Sequence, residues 1–471
     1  LRAILPGPRL IVREAQVSEQ LLSFLVFASA LVLLLSGIPI WTGLTGVALF
    51  YILMLSPDLF QTVPYVFYSG MDSFALLAIP LFILLSAPIA VSRASGDLYE
   101  ALHRWLYRLP GGLGISTMLA CGIFAALCGS SPATAAAIGG IGIPQMRSRG
   151  YTPSLACGLI AHAGTFGILI PPSITMILYG IATETSIGKC FIAGILPGLL
   201  EILLSCIWVV LYLVFTAAGK DLKARQLELR QRAHRLSGGE GPAMDERYTL
   251  KEKLSYVPRV FPFVLIIFGI MGSLYGGWAT PSEAAGVGAV LSLALVMGIY
   301  RMYRWQDLKT ILAKALNEST MILMIMAAAL LFSFVCSDLY VTQSMAELIL
   351  GLPLGKWGIV VFINLLLLVL GFFIPPAAVI LMVAPMLIPV ITGLGFDPVW
   401  FAVIMTVNLE IGLVTPPVGL NLYVVKGIAP DVPMSEVLKG VLPFVIIEMI
   451  VIAAVCVFPA LALWLPSKMI G

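Results

Sequence analysis

The sequence predicts an all-α polytopic membrane protein built from two inverted repeats, each with a re-entrant helical hairpin and a broken transmembrane helix. Three observations carry this: the composition, the placement of charge along the chain, and a set of Gly and Pro residues that recurs at a constant interval. Of 471 residues 60% are apolar, 27 are Lys or Arg and 24 are Asp or Glu, and the mean hydropathy is +1.03. A soluble chain carries roughly 25% charged residues because its surface faces water. The 11% found here means that most of this surface faces lipid. At about 20 apolar residues per span, about ten spans fit once interfacial and re-entrant segments are discounted. A net charge of +3 gives no footprint for nucleic acid. The seven Cys (Cys121, Cys128, Cys157, Cys190, Cys206, Cys336, Cys456) lack Cys-x-x-Cys spacing, and the three His (His103, His162, His234) are too scattered for a metal site.

Residues 1–20 hold Arg2, Arg9 and Arg13 and two Pro before the first apolar run, a polar tail rather than a secretory signal. The first repeat is expected over 21–215. Its opening stretch, 21–57, carries no charge and is interrupted by Gly37 and Pro39, which fits one broken helix or two closely spaced spans. A second apolar segment runs from Ser73 to Val91, and the stretch 109–146 again lacks charge until Arg147 and Arg149. A charged linker follows at 216–259; from Lys220 to Arg259 it holds ten Lys or Arg against six Asp or Glu, which places it in the cytoplasm. The second repeat is expected over 260–471, with apolar runs at 260–277, 284–300, 321–337, 357–391, 399–425 and 440–465.

The repeat itself is read from an interval of 245 residues: Pro144, Gly150, Pro153, Gly167, Pro171 and Pro172 match Pro389, Gly395, Pro398, Gly412, Pro416 and Pro417 without a gap. Chance would give about half a match in such a window. With small gaps the match continues from Gly180-Ile181-Ala182 to Gly427-Ile428-Ala429, and from Gly194 and Pro197 to Gly440 and Pro443. The identities are backbone-special residues, so what is repeated is chain geometry. Arg147 and Arg149 precede Gly150, whereas no basic residue precedes Gly395, so equivalent loops fall on opposite faces and the repeats are inverted.

The stretch 109–146 has basic residues beyond both ends and Gly129-Ser130-Ser131-Pro132-Ala133-Thr134 in its middle. From that break to Arg147 the chain covers about 18 Å as helix, too short for a ~30 Å core, which makes 109–146 a hairpin that enters and leaves on one side. Irregular backbone at membrane depth is tolerated only where it is buried or lines a cavity. Gly129, Ser130, Ser131 and Thr134 are therefore candidate ligands for a small ion or a carboxylate, against the alternative that the hydroxyls bond back to their own helix. The second hairpin, about 357–392, has Gly371 and the Pro375-Pro376 pair at its tip. The repeated Pro pairs interrupt spanning helices, at Gly167, Pro171, Pro172 and Ser173, and at Gly412, Thr415, Pro416 and Pro417 with Asn408 and Asn421 flanking. Such breaks offer carbonyls at one half-helix end and amides at the other, suited to a cation and an anion respectively.

Glu410, in Asn408-Leu409-Glu410-Ile411-Gly412, is an intramembrane carboxylate, read as either a coupling-ion ligand or a scaffold contact. Glu201 and Glu448, at equivalent repeat positions, are expected near helix ends in structural roles, and His162 as a packing residue. A membrane-embedded enzyme is disfavoured because no segment offers a nucleophile with a base, paired acids at mid-membrane or a His/Cys metal set. No Gly-x-x-x-x-Gly-Lys-Ser/Thr loop is present to drive transport by ATP.

On Gly129 to Thr134, Gly167 to Ser173 followed by Tyr179-Gly180, Asn408 to Gly412 and Thr415-Pro416-Pro417-Val418-Gly419-Leu420-Asn421, the chain resembles the large membrane subunit of TRAP (tripartite ATP-independent periplasmic) transporters from about residue 21 to 466. The resemblance implies an elevator-type, sodium-coupled importer of organic acid anions such as C4-dicarboxylates in the bacterial inner membrane. It implies a separate small four-span subunit and a periplasmic substrate-binding protein as partners, and no cofactor beyond sodium as coupling ion. It also implies one sodium site at Ser130, Ser131 and Gly167, another at Gly371 to Pro376 with Gly412 and Thr415, and substrate between them. Pro375 stands where many members of the family have Asp, and the tail and linker look longer than usual. The alternative function is a stand-alone sodium/dicarboxylate carrier of a related hairpin-containing family.

Overall fold

Lipid replaces water around most of this chain, so its helices are apolar on several faces and their charges and caps gather at the ends. The computed structural model describes residues 19–215 and 248–469. Most of the polar tail and the linker from 216 to 247 lie outside the described residues. The charge-free opening forms two helices, α1 (Glu19–Leu35) and α2 (Ile40–Leu55), because Gly37 takes a left-handed φ of +82° and Pro39 cannot continue a helix. Then come α3 (Val63–Met71), α4 (Ala78–Val91) and the amphipathic α5 (Ala94–Leu106). The pair α6 (Gly112–Cys128) and α7 (Ser131–Ser148) is followed by α8 (Pro153–Leu169), α9 (Ile174–Ala182) and α10 (Ile187–Phe215). Beyond the linker lie α11 (Leu250–Leu254), α12 (Val257–Tyr275), α13 (Pro281–Tyr300), α14 (Trp305–Asp338) and α15 (Val341–Leu350). The chain closes with α16 (Lys356–Gly371), α17 (Pro376–Gly393), α18 (Pro398–Leu413), α19 (Leu420–Ile428), α20 (Met434–Val457) and α21 (Ala460–Leu463).

Among the described residues seven helices are long and apolar enough to cross a membrane, or eight if the bent pair α8 and α9 counts as one span. That is fewer than the composition suggests because five further apolar helices, including α6, α16 and α18, have only 10–17 residues. The succession α6 to α9, with 17, 18, 17 and 9 residues, returns as α16 to α19, with 16, 18, 16 and 9. Pro153 and Pro398 open α8 and α18 at the first helical turn, and Gly150 and Gly395 precede them with φ of +89° and +80°.

The two sets interlock. The short α9 packs on α17, and the short α19 packs on α7 and α8, so each broken helix rests its second arm against the other set's helical pair. The Tyr179 hydroxyl of α9 donates to the Pro398 carbonyl at 2.7 Å, and Arg147 at the end of α7 forms an ion pair with Asp431 at 2.5 Å. The Arg147 guanidinium holds the Asp431 carboxyl below its ordinary range. Long helix α8 crosses α20 at two glycines: a Cβ on Gly440 would lie 1.9 Å from the Ser154 carbonyl oxygen, and one on Gly158 would lie 2.1 Å from the Gly440 carbonyl carbon. Small residues at such crossings let backbones approach where lipid supplies no hydrophobic drive. Gly440→Val is therefore expected to deplete folded protein in the membrane fraction; an unchanged yield and melting temperature after detergent extraction would contradict this crossing.

Candidate functional site

The first hairpin turns in two residues because Gly129 caps α6 in the left-handed conformation, with φ +61°, and Pro132 opens the first turn of α7. Helix α8 stops at Leu169 because Pro171 and Pro172 supply no amide donors; the bond between them is cis, as is that between Pro416 and Pro417. Tip and break touch backbone to backbone. A Cβ on Gly167 would lie 2.8 Å from the Ser130 carbonyl carbon and oxygen, and one on Gly129 would lie 2.9 Å from the Pro172 oxygen. The second half has the same contact: a Cβ on Gly412 would lie 2.5 Å from the Gly371 oxygen, and the Val418 amide donates to the Phe372 carbonyl at 3.2 Å. Pro375 stands at the N-cap of α17 before Pro376 and offers no side-chain acceptor, while its carbonyl receives the Ala378 amide at 3.0 Å.

At each tip two helix C-termini therefore meet, α6 with α8 and α16 with α18, and each helix brings about half a negative charge. The hydroxyls around them donate to main-chain carbonyls: Thr134 to Ser130 at 2.9 Å, Thr415 to Ile411 at 2.6 Å, and Ser173 to Ile168. A hydroxyl that donates to a carbonyl still turns its lone pairs outward, toward a cation if one is present. Asn408 donates to the carbonyl and the side-chain oxygen of Asn364, at 2.9 and 3.0 Å. Its own Oδ1 is buried and finds no donor among the described residues. Ser131 and Asn421 instead hold each other: the Ser131 hydroxyl donates to Asn421 Oδ1 at 3.0 Å, and Asn421 Nδ2 donates to the Ala161 carbonyl at 2.8 Å. Asn421 thus belongs to the first tip as much as to the second break, joining α19 to α7 and α8. Asn364 escaped the sequence reading; its one signal was a lone amide in Phe362-Ile363-Asn364-Leu365.

Behind the breaks the structure corrects where two acids lie. Glu201 and Glu448 do not sit near helix ends: both are fully buried, with side-chain exposure of 0%. They surround His162, whose Nδ1 lies 2.9 Å from Glu448 Oε1 and whose Nε2 lies 2.8 Å from Ser205 Oγ and 3.9 Å from Glu201 Oε1. One ligand atom each of His162, Glu201 and Glu448 lies within 4.8 Å of the others, so acids that are remote in sequence do gather inside the helices. Glu410, on α18, is also fully buried, and neither of its oxygens has a hydrogen-bond partner among the described residues. Chain distance hid this cluster, since His162 and Glu448 are 286 residues apart.

Residues 27–461 match the family model described as the tripartite ATP-independent periplasmic transporter, DctM component. The chain is 38% identical over 425 residues to the C4-dicarboxylate TRAP transporter large permease protein DctM of Pseudomonas aeruginosa, covering 90% of this chain and 93% of that one. It is 33% identical over 431 residues to the isethionate TRAP transporter permease protein DctMQ of Oleidesulfovibrio alaskensis, covering 92% of this chain and 64% of that one. Among solved structures, the YdaH transporter of Alcanivorax borkumensis is similar with a TM-score of 0.58 over 87% of this chain and 88% of that chain; at 15% identity this is a likeness of fold.

Proposed function

The chain belongs to the DctM component family of tripartite ATP-independent periplasmic transporters, and from that premise we propose that it imports organic acid anions, C4-dicarboxylates or close relatives, by sodium symport. It is a large permease of the inner membrane, multi-pass and not an enzyme, and its family works with a small membrane subunit and a substrate-binding protein. The observation that carries the reading is the paired contact of a hairpin tip with a helix break, made twice, at Gly167 on Ser130 and at Gly412 on Gly371. Converging helix C-termini favour sodium there, with Ser130, Thr134, Ser173, Asn408 and Thr415 as oxygen ligands. The helix N-termini at Ser131 and Pro376, and at Ile174 and Leu420, favour the anion. The carboxylate of the substrate would lie between the two ion sites, and the hairpins and broken helices would move as one elevator body against α1–α4 and α12–α15. A separate four-span subunit and a periplasmic binding protein that hands over the anion complete the system.

The test is uptake of radiolabelled C4-dicarboxylates into proteoliposomes under an imposed sodium gradient, with and without the two partners. Uptake that ignores the gradient would sink the symport, and uptake by this chain alone would point to a stand-alone carrier. Ser130→Ala is expected to raise the sodium concentration for half-maximal uptake several-fold while leaving the protein folded. An unchanged sodium curve would remove Ser130 from the site.

A further inference from the structure

Beyond the ion and substrate sites, we propose that His162, Glu201 and Glu448 form a proton-binding site in the seam where α8, α10 and α20 meet. Both oxygens of Glu201 and Oε2 of Glu448 are buried with no donor among the described residues. With both carboxylates ionised and the imidazole neutral, the seam would bury two negative charges, an arrangement that proteins escape by binding protons or cations.

No protein cation is at hand among the described residues to balance them. Apart from Glu410, on the helices packed against the cluster the other charged residues, Arg147, Lys189, Lys356, Lys426, Glu436 and Lys439, with Arg259 and Lys468 beyond them, stand at helix ends, exposed or half-exposed. The Cys and Tyr residues of those helices are uncharged at neutral pH. A metal ion is poorly served, because both His162 nitrogens already face partners, Glu448 and Ser205, so the one lone pair that a neutral imidazole offers is engaged. Protons fit each contact. Glu201 Oε1 stands 3.9 Å from His162 Nε2 and neither Glu201 oxygen has a donor among the described residues, so a proton on Glu201 removes its buried charge. A second proton turns the His162–Glu448 pair from net negative to neutral, with the Thr165 hydroxyl 3.3 Å from Glu448 Oε1 as a further donor.

The site lies where it can govern transport. His162 is on the helix that breaks after Leu169, and Glu201 and Glu448 are on the two helices packed against it. Loss of the protons would place repelling charges against the first broken helix, so uptake is expected to fall as pH rises with the sodium gradient held constant and no pH gradient applied.

The experiment is infrared spectroscopy of the full chain with its small subunit in liposomes, together with uptake measured against pH with the binding protein added. The wild-type protein is expected to show the C=O stretch of protonated carboxyl groups at a pH where surface carboxyls are ionised, shifted on exchange into heavy water. Glu201→Gln and Glu448→Gln, near-isosteres of the protonated acids, should each lose part of that band and move the alkaline fall of uptake. No such band in the wild type, or a band undiminished in both variants, would overturn the site. A pH profile identical in wild type and variants would overturn its control of uptake. Should one variant fail to fold, the other carries the assignment.

Discussion

Uptake is expected to fall to background when Gly412 is replaced by Ala. The added methyl would stand 2.5 Å from the Gly371 oxygen and 2.6 Å from its carbonyl carbon, and those atoms are backbone at a hairpin end, not the movable tip of a side chain. Overpacking of this kind costs about 1–3 kcal/mol or more even in ordinary cores. Here the strain falls on the contact proposed to shape the second ion site. Gly167→Ala, which meets the Ser130 carbonyl at 2.8 Å, should act in the same direction. Gly427→Ala is the control, because nothing lies within 4 Å of the place its methyl would take. Folded yield and sodium-dependent thermal stabilisation, measured beside uptake, separate a lost site from a lost fold. Wild-type uptake by Gly412→Ala would refute the close seating of tip and break.

The second large effect is expected at Asn421. Replacing it by Leu leaves the Ser131 hydroxyl and the Ala161 carbonyl buried without their partner, at about 1–3 kcal/mol for each stranded group. Melting temperature and uptake should both drop. Ser131→Ala should be milder, since Asn421 keeps its bond to Ala161, and the double variant should be no worse than Asn421→Leu alone because the two share one network. Strictly additive losses would show that the residues do not act on each other.

What the sequence made legible was set by chain-local chemistry. Gly129, Gly167, Gly412 and the Pro pairs announce themselves because each imposes a backbone geometry within a few residues, and that geometry survives the substitution of its neighbours. The matching lengths of α6–α9 and α16–α19 follow from the same spacing. Glu201 and Glu448 were misplaced because each is a single acid in an apolar helix, which locally resembles a helix end, while His162 is the buried packing residue expected. Only the crossing of α8, α10 and α20 brings the three together. Ser131 and Asn421 were picked out as polar residues at a tip and a break, but their pairing across 290 residues carries no local mark. The meeting of Gly158 with Gly440 was hidden for the same reason.

The interlocking of the two helical sets also has a consequence for biosynthesis. Helix α8 buries His162 and Gly158 against α20, whose residues leave the ribosome more than 250 positions later. At roughly 5–20 residues per second, the first half waits in the bilayer for about ten seconds to a minute before its counterpart is made. During that interval His162 has Ser205 and Glu201 of α10 beside it but still lacks Glu448 of α20. The last helices to be translated are therefore the ones that close the molecule, and the early half enters the membrane as an unfinished surface that the insertion machinery or lipid must shelter.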